Sequence, residues 1–267
     1  MNWKKIGKLL TNPQQLARIP ELKYWLFITI LVIFIYFTFS SQDFSFLLTL
    51  SSLLQSLSVL GIIIQVQSSI RGLSCNTFII YTTIYLTRLI SILSYESYLP
   101  NDSTGDWLYQ IIEIFNLLLS FYVANKLKIT KESRIYLTLL PACFIFALIL
   151  HPTLNRNFFT DTCWMFSMVL ETFAVVPLLW KMKEYNDLEN FSSHFVAAHS
   201  VSKILSFIFW VQTYHELNKA HGKYAYFSHI SGYFVLVSQA GVLVFTGQFL
   251  GYYLKSAVLG TPLVLPL

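Results

Sequence analysis

The sequence predicts an all-α integral membrane protein, and three observations support this fold class. Only 12% of the 267 residues are charged, against about 25% in an average soluble domain. Hydrophobic residues make up 55% of the chain and gather into long runs. Several runs are close to the length that an α-helix needs to cross a bilayer, and they lack the alternation that a membrane β-barrel requires.

Eight apolar runs follow one another along the chain. They are Tyr24–Ser40, Phe44–Val66, Thr77–Leu93, Trp107–Val123, Leu137–Leu150, Cys163–Trp180, His194–Trp210 and Ser231–Leu254. A long basic segment precedes the first run, so we expect a retained helix there, with a cleaved signal peptide as the alternative. The fifth run contains Pro141 and reaches full length only if Ile135 and Tyr136 join it.

Basic residues are divided unevenly between the two ends of these spans. One side, which includes both termini, carries 13 Lys and Arg, and the other side carries 3. Cytosolic loops hold such an excess of positive charge. We therefore predict that both termini are cytosolic and that the loops 41–43, 94–106, 151–162 and 211–230 are lumenal or external.

Four ionisable side chains lie inside the runs: Arg88, Glu113, Glu171 and Lys203. A lone charge at mid-membrane costs roughly 2.5–3.5 kcal/mol, so such groups face other helices or a hydrated cavity. Two positive and two negative charges can neutralise one another. Glu171 is central in its run, whereas Arg88 could snorkel to the lumenal face and Glu113 could be a hydrated end residue.

Span direction suggests one cavity that is open to the lumen. It places Asp161 and Trp164 at the lumenal mouth, with Glu171 and Lys203 near mid-depth. His199 lies one turn before Lys203 on the same helical face and is a candidate pH-sensitive group, because histidine titrates near neutral pH.

Mixed charge in such a cavity suits a zwitterionic or charged ligand, such as a peptide terminus. Arg88 is the candidate carboxylate anchor, because a guanidinium binds a carboxylate with two arms.

No motif indicates an enzyme, a metal site or a cofactor. The chain has no nucleophile elbow, HExxH motif or phosphate loop. Its cysteines, Cys75, Cys143 and Cys163, form no CxxC or Cys/His cluster and are expected to be buried apolar residues. The net charge of +5 is modest and gives no indication of nucleic-acid binding.

Several segments resemble the endoplasmic-reticulum retention receptors (KDEL receptors). The family's GIS…TR segment is similar to Gly72-Leu73-Ser74 with Leu86-Thr87-Arg88, and its W-x-F-S-x-x-L-E-S/A-x-A-x-L-P-Q segment is similar to CWMFSMVLETFAVVPLLW. The family's (S/T)HY…AL segment is similar to Ser193-His194-Phe195 with Ala198, and its C-terminal end is similar to GYYLKSAVLGTPLVLPL. The resemblance covers about residues 44–267. The additional first span, and His151-Pro152 before Cys163-Trp164, are similar to the longer plant-type relatives.

The resemblance implies a seven-helix core like the sugar-transporter (SWEET) and PQ-loop folds, with two three-helix bundles joined by a linking helix. We accordingly expect an extra N-terminal part at 1–43, a receptor core at 44–254 and a tail at 255–267. The implied function is a receptor of the Golgi and endoplasmic-reticulum membranes. It would bind C-terminal Lys-Asp-Glu-Leu-type signals of soluble lumenal proteins in the acidic Golgi and release them in the endoplasmic reticulum. The implied partners are these signals, membrane lipid, and COPI and COPII coat components.

By this resemblance Arg88 takes the carboxylate of the signal, Asp161 meets its lysine beside Trp164, and Glu171 is the buried glutamate. Lys203 replaces an arginine of the sixth core helix and is expected to bind the signal, and Glu171 and His199 are expected to form a buried charge network beneath the peptide site. Other family positions differ: the first-helix arginine falls at Phe46, the pH-sensing histidine at Leu53, a second arginine at Thr213 and a last-span aspartate at Gln248.

Two alternatives to a retention receptor remain. One is a small-solute transporter of the related fold, for a sugar or an amino acid, and the other is a diverged relative without KDEL binding. A transporter usually has Pro-Gln pairs or matched prolines in its two bundles. Pro177 is followed by Leu178 and has no counterpart within the three spans between Phe44 and Val123. That pattern favours a receptor.

Overall fold

The structure is a computed structural model that describes residues 20–39, 44–95, 105–127, 136–155, 157–184, 190–218, 227–259 and 263. The helices are α1 (Pro20–Phe39), α2 (Phe46–Ser68), α3 (Cys75–Tyr95), α4 (Gly105–Leu127), α5 (Tyr136–Leu150), α6 (Phe158–Glu171), α7 (Val176–Lys183), α8 (Asn190–Leu217) and α9 (Ser231–Leu259), with a 3-10 turn at Ser228–Ile230. The basic segment before Pro20, the loop 41–43 and most of the tail 255–267 lie outside this description.

Every predicted apolar run is wholly or mainly helical within the described residues, and no strand occurs among them. Six described segments are long and apolar enough to cross a membrane, and Trp25–Thr38 and Tyr136–Leu150 are shorter apolar helices. The predicted class of all-α integral membrane protein is therefore confirmed.

Two triples of helices make up the core. In the first, α4 packs against both α2 and α3, and in the second, α9 packs against both α6 and α8. The triples meet where α2 packs on α8 and α3 packs on α6. The linking helix α5 packs mainly along α6. This arrangement leaves α2, α3, α6 and α8 around the middle of the protein, where a site between the triples can form.

The span predicted at Cys163–Trp180 is longer than expected and is interrupted. It begins at Phe158 because the side chain of Asn157 caps the helix, accepting hydrogen bonds from the backbone N–H groups of Phe159 and Thr160. Hydropathy misses this first turn, which is partly polar. The helix ends at Glu171 and resumes as α7, where Pro177 occupies the first turn, a position that tolerates a missing N–H group.

The span predicted at His194–Trp210 also extends further, from Asn190 to Leu217. The loop predicted at 211–230 is shorter as a result. Near the start of α9, after this loop, the backbone N–H of Gly232 donates to Asn218 Oδ1 at 2.8 Å and so links α9 to the end of α8. A Cβ atom at Gly232 would lie 2.1 Å from the carbonyl oxygen of Tyr214. Only glycine fits this close approach between α8 and α9.

Helix α1 lies against α2 and α8. A small apolar cluster of Ile28, Leu54 and Ala198 joins the three helices. Tyr253 on α9 adds a polar link, because its hydroxyl accepts from Trp25 Nε1 at 2.7 Å and lies 2.6 Å from His194 Nδ1. Much of the rest of α1 is apolar and exposed, as expected for a lipid-facing surface: Leu26, Phe27, Ile30, Ile33, Phe34 and Phe37.

We predict that Tyr253→Phe weakens the attachment of α1. The substitution removes one hydroxyl that serves both Trp25 and His194, and a lost hydrogen bond costs about 1 kcal/mol. The melting temperature of the detergent-solubilised protein should fall by roughly 2–4 °C. Tyr252→Phe is the matched control, because Tyr252 is exposed. Equal melting temperatures for the two variants would contradict the prediction.

Candidate functional site

The candidate site is a cluster of buried charges between the two triples. Glu171, at the end of α6, lies at its centre. Lys203 Nζ on α8 donates to Glu171 Oε1 at 2.7 Å, and Arg88 Nη2 on α3 lies 3.2 Å from Glu171 Oε2. Gln239 on α9 donates to the same Oε2 at 3.4 Å. Both triples therefore supply partners to one carboxylate.

Arg88 also meets a second carboxylate. Its Nη1 lies 3.5 Å from Glu113 Oε2 on α4. The sequence left Glu113 open to interpretation as a hydrated end residue, but its side chain is fully buried. Glu113 Oε1 accepts a hydrogen bond from Ser52 at 2.5 Å, so α2 helps to hold it.

The four charges balance, since two are positive and two are negative. Their side chains are at most 6% exposed. A buried ion pair is a weak source of net stability, but removal of one partner leaves an uncompensated charge and is strongly destabilising. The cluster therefore depends on all of its members being present.

Helix α2 contributes a polar seam inside an apolar span. Ser51 Oγ donates to the backbone oxygen of Ser202 on α8 at 2.9 Å. Ser52 Oγ accepts from Asn116 Nδ2 at 3.1 Å, and Ser56 Oγ donates to Asn116 Oδ1 at 2.8 Å. This seam was not predicted from the sequence. Its signal was present as small polar residues spaced three or four apart in Phe44–Val66, which place them on one helical face.

A cavity of about 20 Å³ adjoins the charge cluster, which is room for a single water molecule. Arg88, Trp164, Glu171 and Lys203 contribute to its lining, together with polar groups of α2 and α4. Trp164 packs edge to face on Trp210, with ring centroids 5.7 Å apart. The structure thus brings four of the predicted site residues to one cavity.

Asp161 and His199 lie outside the lining of this cavity, although they were predicted to share one cavity with the other site residues. Asp161 is buried in the first turn of α6, where its Oδ1 accepts from the backbone N–H of Asn155 at 2.9 Å. It is directed to the preceding loop because that loop has backbone donors to satisfy.

His199 faces α2 and α3. Its Nε2 lies 2.9 Å from the Tyr81 hydroxyl, and its Nδ1 lies 3.3 Å from Gln55 Nε2. Gln55 in turn lines the cavity. His199 therefore reaches the cavity through one neutral side chain.

Two family positions that differ in this chain supply no charge to the site. Phe46 is fully buried, and Thr213 donates its hydroxyl to the backbone oxygen of Phe209 at 3.0 Å. Among the described residues that line the cavity, Arg88 and Lys203 are the cations.

We predict that Lys203→Met destabilises the protein by about 3–5 kcal/mol, because it leaves Glu171 buried with one fewer cation. Lys181→Met is the matched control. Lys181 pairs with Glu184, whose side chain is 63% exposed, and such surface pairs contribute about 0–1 kcal/mol. Thermal unfolding in detergent measures both variants, and a Lys203→Met protein as stable as the control would refute the dependence of the cluster on Lys203.

Comparison with known proteins gives a consistent result. A family model described as ER lumen protein retaining receptor matches residues 69–213. The ER lumen protein-retaining receptor of Kluyveromyces lactis is 25% identical over 229 residues, which cover 84% of this chain and 95% of the relative. The receptor of Entamoeba histolytica is 24% identical over 201 residues, 73% of this chain and 85% of the relative. That of Plasmodium falciparum is 24% identical over 208 residues, 73% of this chain and 84% of the relative.

The matched region contains all four charges of the buried cluster. The family model covers more than half of the 267 residues. The chain therefore belongs to the ER lumen protein-retaining receptor family and is a multi-pass membrane protein of the endoplasmic-reticulum and Golgi system.

Proposed function

We propose that this protein binds C-terminal retention signals of soluble lumenal proteins and returns them from the Golgi to the endoplasmic reticulum. The observation that carries the proposal is the position of Arg88. Its guanidinium is buried between the triples and lines a cavity, and a planar fork of donors in a poorly hydrated site suits the carboxylate at a chain end. The names of the relatives support the same function.

A peptide end needs more room than the cavity provides. At about 20 Å³ it holds one water molecule, so binding requires the two triples to move apart. The contacts between α2 and α8 and between α3 and α6 are where this opening would occur. Several of those contacts are hydrogen bonds between side chains, such as the pair of Ser51 and Ser202 hydroxyls, which water or a ligand can replace.

We assign the remaining site residues as follows. Trp164 forms an aromatic wall of the cavity with Trp210. Lys203 keeps Glu171 charged and in place. Asp161 is assigned to the basic end of the signal, and it becomes available when the loop that its carboxylate now holds moves on opening.

The signal read by this protein is proposed to differ from a strict Lys-Asp-Glu-Leu end. Phe46 and Thr213 occupy positions where the family resemblance places arginines, and neither can form an ion pair with an acidic side chain. A signal with a free carboxylate and fewer acidic side chains fits the two cations that remain.

The topology proposed from the charge distribution places both termini in the cytosol. Residues 44–254 form the receptor core, residues 1–43 add a helix to it and residues 255–267 form a short tail. The protein acts as a receptor and not as an enzyme, with COPI and COPII coat components as its transport partners.

A peptide array tests the proposed function. Purified full-length protein is probed with C-terminal tetrapeptides that have free or amidated ends, at about pH 5.5 and about pH 7.2, which bracket histidine ionisation. Selective binding of free ends supports a receptor. Binding of none of the peptides would favour the diverged relative or the solute transporter.

We predict that Arg88→Ala abolishes binding of peptides with a free C-terminus, because the anchor is lost. Arg88→Lys keeps the charge but loses the fork, so its affinity should fall by about tenfold or more, as expected for one charge-assisted hydrogen bond. Arg71→Ala is the control, because Arg71 is exposed in the turn after α2. Unchanged affinity in Arg88→Ala would exclude this site as the peptide site.

We further predict that His199 tunes the affinity with pH. His199 is buried in this structure, so its protonation requires the triples to move apart and water to reach the ring. Protonation then adds a positive charge behind Gln55 and favours an anionic ligand, so binding should be tighter at about pH 5.5 than at about pH 7.2. His199→Gln keeps hydrogen-bonding groups but cannot titrate. If the variant retains the pH profile of the wild type, His199 has no such role.

A further inference from the structure

Arg88 is the group that a ligand carboxylate would meet, and its two terminal nitrogens are already in contact with carboxylates of the protein. Nη2 lies 3.2 Å from Glu171, and Nη1 lies 3.5 Å from Glu113. A ligand carboxylate that takes a bidentate hold on this guanidinium therefore competes with these two contacts.

The two carboxylates are not held equally. Glu171 is bound at both oxygens by neighbours other than Arg88, because Lys203 donates to Oε1 and Gln239 donates to Oε2. Glu113 Oε2, which faces Arg88, has no hydrogen-bond partner in the described structure. Its 3.5 Å separation from Nη1 is longer than the roughly 2.7–2.9 Å of a charge-assisted hydrogen bond. Glu113 is therefore the easier of the two to displace.

The cavity gives access to this weaker contact. Arg88 and Ser52, the two partners of Glu113, both line it. Tyr109, one turn before Glu113 on α4, lines it as well. A carboxylate that enters the cavity approaches the same guanidinium and hydroxyl that now hold Glu113.

We propose that Glu113 is an internal competitor for Arg88, whose carboxylate occupies the Nη1 side of the guanidinium until the C-terminal carboxylate of a peptide displaces it. The proposal rests on the proposed function, since it presumes a peptide ligand. It makes Glu113 a residue that sets the affinity of the site for carboxylates.

Binding of a ligand carboxylate also changes the net charge of the buried cluster. The cluster is neutral before binding, and a ligand carboxylate adds one negative charge to a buried site, which is costly unless it is compensated. One proton taken up by the released Glu113 restores neutrality. Ser52 can stay hydrogen-bonded to the neutral carboxyl group, because a hydroxyl both donates and accepts.

The surroundings of Glu113 fit this assignment of the proton. Helix α2 presents the neutral hydroxyl of Ser52 to it. The titratable and charged groups around it are Arg88 and Tyr85 on α3, Tyr109 on α4, Glu171 on α6 and Lys203 on α8. Once Arg88 turns to the ligand, the remaining cation, Lys203, stays bound to Glu171.

Glu113→Gln tests the proposal in the full-length protein. The probe is a labelled octapeptide that ends in Lys-Gln-Glu-Leu, which has one acidic side chain fewer than Lys-Asp-Glu-Leu, with a free or an amidated C-terminus. At about pH 7.2, where the carboxylates compete as anions, the variant should bind the free-acid peptide about tenfold or more tightly than the wild type. The gain should be smaller for the amide. Glu184→Gln, the same change at an exposed carboxylate, should bind like the wild type.

Calorimetry in two buffers of different ionisation enthalpy supplies a second readout. The wild type should take up about one proton more per bound peptide than Glu113→Gln, because the variant has no carboxylate to neutralise. Glu113→Asp keeps the charge but withdraws it from Arg88. It should also bind the free-acid peptide more tightly than the wild type, by less than Glu113→Gln, and it serves if the glutamine variant does not fold.

The outcomes separate this inference from the proposed function. Binding by the wild type with equal or weaker binding by the Glu113 variants overturns the competitor role and leaves the receptor function standing. Equal proton uptake by wild type and Glu113→Gln also overturns it. Binding that arises only in Glu113→Gln supports it. If no protein binds either peptide, the competitor role is overturned together with binding of this signal.

Discussion

The contact between Arg88 and Glu171 is the interaction on which the centre of the structure depends. Arg88 belongs to the first triple of helices and Glu171 to the second, and their 3.2 Å approach joins the charges of both. Within the second triple Glu171 is held by Lys203, and within the first Arg88 is held to Glu113. Each triple carries one positive and one negative charge, and the contact between Arg88 and Glu171 joins the two pairs into one buried network, so the two halves are tied together by this ion pair as well as by packing.

The backbone around Glu171 explains why a carboxylate can stand there. Helix α6 ends at Glu171, and the chain does not resume a regular helix until Val176. Pro177 lacks a backbone N–H group and so cannot continue an α-helical ladder through the break. The side-chain hydroxyl of Thr172, within the break, donates to the backbone oxygen of Ser238 on α9 at 3.2 Å. Backbone N–H groups of residues 172–174 bond to carbonyl groups three residues earlier, so the interruption is a tight turn that is largely buried in protein, where irregular backbone is tolerated.

The sequence predicted the fold class and the membership of the charge cluster better than its geometry. Long apolar runs and four intramembrane charges were visible without coordinates, because the bilayer penalises both short helices and lone charges. The groups that each of these side chains contacts were harder to predict. Asp161 has the spacing of a lumenal site residue, yet its carboxylate accepts a hydrogen bond from the backbone N–H of Asn155 in the preceding loop. Glu113 looked like an end residue, yet Ser52 and Arg88 enclose it. Such contacts are set by which helices meet, and a single sequence does not contain that information.

The apolar start of α2 is connected with the packing of α1 beside it. Phe46 begins α2 at a position where the family resemblance places an arginine, and its ring packs against Tyr36 of α1, with centroids 6.0 Å apart. An arginine there would bring its charge against an apolar helix, at a desolvation cost that no described acidic neighbour offsets. An apolar residue at this position and a helix packed beside it therefore favour each other. The cations that line the cavity, Arg88 and Lys203, lie between the triples, so α1 can pack on the start of α2 without facing a buried charge there.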